Sequence, residues 1–140
     1  MTDDDSVAVP PSGTSTDLLS VSQDRRGGAV IVRFTGEIDL SSVPSVRAAV
    51  TAALADATPP DLIVLDLTGV GFLASAGLAE LQLARQLTAD QHIPLRIVAT
   101  SRVVLRPLEV IGMAATLDIR PDVGAALAPP YDAVNEQRAL

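Results

Sequence analysis

"DLIVLDLTGVGFLASAGLAEL", residues 61–81, carries two secondary-structure signals back to back. Leu62, Ile63, Val64 and Leu65 form an uninterrupted apolar run too short for a helix, opened by Asp61 after two prolines and expected to end at Asp66. Such a run reads as a central strand buried on both faces. From Ala76 to Thr88 the pattern changes to helical spacing. Leu81, Ala84 and Leu87 share one side, with Leu83 at its margin, and Gln82, Arg85 and Gln86 lie opposite. Leu78 falls nearer the polar group, and Glu80 fits the apolar arc poorly. Between strand and helix lie two glycines, Phe72 and, just before Ala76, one small hydroxyl, Ser75.

The same alternation extends outward. Upstream, Asp17–Ser22 reads as a weak strand, "QDRRGG" as a polar turn, and Ala29–Thr35 ("AVIVRFT") as a strand rich in β-branched residues. "GEIDLSSVPS" reads as a loop in which Ser41 or Ser42 caps a helix and Pro44 occupies its first turn. Val46, Ala49, Val50, Ala53 and Leu54 then recur on one helical face. Downstream, Leu95–Ala99 predicts a strand and Ser101 caps a helix ending at Gly112, with Pro107 kinking or interrupting it. A short strand over Thr116–Ile119 and a helical turn over Pro121–Leu127 follow. Strands alternating with helices imply a layered α/β fold with a partly parallel sheet, mixed by the hairpin of the first two strands.

Composition sets the limits. The 140 residues suffice for one compact domain, here over residues 17–128, between a disordered tail at 1–16 and a loose one at 129–140. Hydrophobic residues make up 48% and aromatics only 2%, so the core must be built of Val, Leu, Ile and Ala. A net charge of −7 argues against a nucleic-acid partner. Without cysteine there is no disulfide, zinc-thiolate site or thiol nucleophile. The acidic N-terminal stretch is unlike a secretory signal, and no apolar run reaches membrane-spanning length, so no membrane role and a cytoplasmic location are expected.

Ser75 admits three chemistries. A serine just before a helix can accept a first-turn N–H, a stabilisation of about 1 kcal/mol. As a nucleophile it lacks the first glycine of G-x-S-x-G, and the only histidine, His92, belongs to a later solvent-facing turn. As a modification site it needs only exposure, since the modifying protein would supply the chemistry. Gly69, Gly71 and Gly77 do not form a phosphate-binding P-loop; they serve turn freedom and close packing at the helix start. Glu37 and Asp39 read as turn acids or partner contacts, with no third ligand for a metal and no aromatics for a sugar. Phe72 reads as a core plug under the loop. An enzyme, a cofactor and a metal are therefore not expected.

"TGEIDL", "IVLDLTGVGFLASAGLAEL" and "VVLRPLEVIGM", in that order, resemble a STAS domain, and more narrowly the bacterial anti-sigma factor antagonists. The resemblance implies a mixed sheet with helices mainly on one face. It implies a regulatory protein that binds an anti-sigma factor of the serine kinase type, is phosphorylated on Ser75 and is reset by a phosphatase. It places the partner surface on Glu37, Asp39, Ala74, Ser75, Ala76, Gly77, Leu78 and Gln82, with Leu78 as an apolar anchor. Ala74 stands where that family usually carries aspartate. The alternative is an unphosphorylated STAS subunit of a lipid-transport ATPase complex or a stressosome-like scaffold.

Overall fold

The computed structural model describes residues 19–58 and 61–128. Both expected tails, and the Asp17–Leu18 start of the expected first strand, lie outside the described residues. The elements are β1 (Leu19–Arg26), β2 (Ala29–Ile38), α1 (Val43–Asp56), β3 (Leu62–Leu73), α2 (Ser75–Asp90), β4 (Leu95–Val98), α3 (Arg102–Val110), a 3-10 turn (Met113–Ala115), β5 (Asp118–Arg120) and α4 (Val123–Ala126). The sheet order is β1-β2-β3-β4-β5, with β1 antiparallel to β2 and the other pairs parallel.

The β3 core is buried from Leu62 to Leu67, as its apolar run predicts. One face of the sheet (Val30, Val32, Phe34, Ile63, Leu65, Ile97) packs under Val46, Val50 and Ala53 of α1, Leu81 and Ala84 of α2, and Val104 and Leu108 of α3. The other face (Ala29, Ile31, Leu62, Val64, Val98) meets Ala126, Val123 and Leu127 around α4. Helices thus lie mainly on one side.

Three differences from the sequence reading shape the region around the site, and the last strand is also shifted, to Asp118–Arg120 from the expected Thr116–Ile119. The polar "QDRR" is strand, and the turn is only Gly27–Gly28, between the paired Arg26 and Ala29, with Gly27 in the left-handed region at φ 56°. An edge strand that exposes everything but Leu19 has no apolar alternation to announce it. Second, β2 runs on to Ile38 and β3 to Leu73, well past the expected stops at Thr35 and Asp66. The two remain paired because β3 absorbs an extra residue twice, once between Asp66 and Gly69 and once between Val70 and Phe72. Gly69 permits this: a Cβ there would lie 2.8 Å from Thr35 Oγ1 and 3.1 Å from the Phe34 carbonyl oxygen. Third, Pro107 does not interrupt α3, which continues to Val110 before Gly112 turns at φ 80°. Ser101 caps that helix as expected, accepting the Val103 N–H at 3.1 Å.

Candidate functional site

The site is built where β2 and β3 end side by side. Ile38 pairs with Leu73, and one residue later Ala74 N–H donates to the Ile38 carbonyl at 2.9 Å. The loops that begin at Asp39 and Ala74 are therefore neighbours by strand register. Gly77 draws the start of α2 onto the same place: a Cβ there would lie 2.6 Å from Ile38 Cγ2 and 2.7 Å from Leu73 Cδ1.

The Asp39 loop is held by its own polar groups. Asp39 Oδ1 accepts from Ser41 Oγ at 2.7 Å, Ser41 N at 3.0 Å and Ser42 N at 3.2 Å. These donors, the Ser41 hydroxyl foremost, hold the Asp39 carboxyl below its ordinary pKa, so it is anionic at neutral pH. Oδ2 has no partner among the described residues and remains available. Ser42 occupies the N-cap position of α1 but makes no side-chain cap bond. Its buried hydroxyl donates to the Glu37 carbonyl at 2.9 Å and accepts the Asp39 N–H at 2.9 Å, bolting the loop to the end of β2.

Ser75 is exposed at the first position of α2. The N-cap position is Ala74, with φ −82° and ψ 168°, and α2 has no side-chain cap bond. Capping is therefore not what Ser75 does: it sits one residue too late. Among the described residues its hydroxyl has no hydrogen-bond partner. The Ala74 carbonyl takes the N–H groups of Gly77 at 2.9 Å and Leu78 at 3.1 Å, which leaves those of Ser75 and Ala76 unpaired among the described residues. His92 lies exposed in the turn after α2, at φ 59°.

Of the other residues expected at a partner surface, Gln82 is exposed two turns along α2 from Ser75, with exposed Ala79 between them. Glu37, Ala74 and Ala76 are part-exposed. Gly77 and Leu78, expected there as contacts, are instead buried in the partner-free chain. The close approach at Gly77 pulls the first turn of α2 inward, and Leu78 follows it into the core beside Leu81. Phe72 is corrected in the opposite sense. The second extra residue of β3 turns its ring away from the core face carrying Ile38 and Leu73, and it stands 48% exposed opposite Glu37.

Two features escaped the sequence reading. Leu40 projects from the Asp39 loop at 79% exposure; an apolar residue between Asp39 and Ser41, inside a four-residue turn, is its only signal. Glu80, out of place on its helix, is buried and receives Arg47 from α1, Nε to Oε1 at 3.1 Å. That ion pair ties α1 to α2 below the site.

The model of the STAS domain matches residues 20–126. The chain belongs to the STAS family. Among relatives of this STAS chain, a Mycobacterium tuberculosis protein provisionally named as an anti-anti-sigma factor, Rv2638, is 32% identical over 115 residues, covering 82% of this chain and 78% of that one. The crystal structure of an anti-sigma factor antagonist from Mycobacterium paratuberculosis superposes with a TM-score of 0.75 at 29% identity, over 84% of this chain and 98% of the other. The anti-sigma factor antagonist SpoIIAA shares the fold in its unphosphorylated form (TM-score 0.58, 20% identity, 76% of this chain and 93% of that one). So does its phosphorylated form from Bacillus (TM-score 0.56, 18% identity, 76% and 96%). Among the described residues no helix of this STAS chain is long and apolar enough to cross a membrane.

Proposed function

We propose that this STAS protein is an anti-sigma factor antagonist that binds an anti-sigma factor kinase and is released by phosphorylation of Ser75. The observation that carries the reading is Ser75 itself: an exposed hydroxyl, free of hydrogen bonds among the described residues, opening a helix beside a carboxylate loop. The partner docks over the Asp39 loop, the Ala74–Ala76 segment and the Ser75–Ala79–Gln82 stripe of α2. It supplies the nucleotide and the base, so this chain is substrate and ligand at once. A fold neighbour, SpoIIAA, is known in unphosphorylated and phosphorylated forms.

The local physics favours a switch that leaves the domain folded. A phosphoserine carries about −1.5 to −2 charge at neutral pH. At the first turn of α2 that charge meets the helix dipole and the unpaired N–H groups of Ser75 and Ala76. The penalty falls on the complex, where a bulky dianion beside anionic Asp39 is forced out of water. A cost of about 4 kcal/mol weakens binding roughly a thousandfold. A phosphatase resets the cycle.

Incubation with the kinase and ATP, followed by peptide mass spectrometry, tests the assignment. One phosphate on Ser75 is expected, and none on Ser75→Ala. Stable binding with no phosphate on Ser75 would instead favour a constitutive STAS subunit.

A further inference from the structure

A second surface lies on α3, which shares no residue with the Ser75 site. Val104 and Leu108 bury one side of this helix. On another, Val103 (41% exposed), Val110 (70%) and Ile111 (51%) form an apolar strip completed by half-buried Pro107. At about 100° per residue, Val103 and Val110 share one line along the helix. Arg102, Arg106 and Glu109, spaced four and three residues apart, form one exposed flank of that strip. None of these three makes an ion pair or a side-chain hydrogen bond among the described residues.

We propose that the α3 strip is a self-association surface, taken by α3 of a second copy of this chain in antiparallel orientation about a twofold axis. The pattern is self-complementary. With the axis between Arg106 and Pro107, Val103 of one copy meets Val110 of the other. In an antiparallel pair equivalent flanks face each other, so Arg102 and Arg106 of one copy approach Glu109 of the second from either side. A two-fold interface requires such reciprocity. The mixed signs on the flank favour a copy over an unrelated partner: a purely acidic one would oppose Glu109, and a purely basic one would oppose both arginines.

The contact is small. A nine-residue helix is about 14 Å long and covers less than the roughly 800 Å² per partner of a standard interface. The dimer is accordingly weak and dissociable.

Sedimentation velocity on the full chain, from about 1 µM to about 1 mM, tests this directly. A monomer–dimer equilibrium is expected within that range. Glu109→Arg places like charges face to face and should weaken it by about tenfold or more. The triple variant Arg102→Glu, Arg106→Glu, Glu109→Arg exchanges the flank and should restore it. Circular dichroism should show all three proteins equally folded, because the altered residues are exposed. A chain monomeric throughout the range overturns the proposal. So does a dimer indifferent to Glu109→Arg, or one whose loss the triple variant fails to rescue.

Discussion

Helix α2 begins without a side-chain cap, and supplying one should stabilise the protein measurably. Ala74 already has the extended backbone of an N-cap residue, φ −82° and ψ 168°, so a substituted side chain needs no backbone change. The Ala76 N–H is unpaired among the described residues and lies at the second helical position, one of the two that an N-cap oxygen reaches. Ala74→Ser should therefore gain one capping hydrogen bond, about 1 kcal/mol. For a domain of this size that raises Tm by roughly 4–6 °C. Ala74→Asp adds a favourable charge–dipole contribution of about 0.3–1 kcal/mol. Against it stands Asp39, whose loop leaves the neighbouring strand at the same level. Aspartate should thus gain no more than serine at low salt and draw level with it as salt screens both the repulsion and the dipole contribution. Urea unfolding followed by circular dichroism at neutral pH measures both, with an unchanged m-value expected. Two variants no more stable than wild type would refute the reasoning, because α2 would then not start at Ala74.

Other substitutions probe the supports of the site. Gly77→Ala drives a methyl against the Ile38 and Leu73 side chains and should cost roughly 1–3 kcal/mol in a urea titration. Arg47→Ala leaves the buried Glu80 carboxylate without its cation and should lower stability by about 1–3 kcal/mol, whereas the double variant with Glu80→Leu should recover part of the loss. Asp39 has a depressed pKa in the folded state, so its contribution is complete above the ordinary carboxylate pKa and is lost as pH falls through the folded value. Asp39→Asn should accordingly flatten the acid limb of the stability profile, measured by thermal unfolding from neutral pH downward.

The sequence pattern exposed what depends on local chemistry. The apolar run Leu62–Leu65 marked the buried strand, and Val46, Val50 and Ala53 marked the buried side of α1. Ser75 stood out because no other hydroxyl lies between Thr68 and Thr88. What was hidden depends on contacts between elements. The extension of β3 beyond Asp66 rests on glycines that locally look like turn residues and are used for close approach to β2. None of Gly69, Gly71 and Gly77 has a positive φ. Leu78 goes inward and Phe72 outward because Gly77 and the irregular register of β3 reset the local geometry, which a uniform period cannot represent. Glu80 looked misplaced because its partner, Arg47, comes from a helix more than thirty residues earlier. The Ser75 position was thus readable, and the shape of the surface around it was not.

Binding of two forms of one protein to the same anti-sigma factor kinase, measured by calorimetry, tests the switch at its centre: the unmodified chain and the chain carrying a single phosphoserine at position 75. The account predicts affinities that differ by roughly a thousandfold with both forms equally folded. Equal affinities would contradict it.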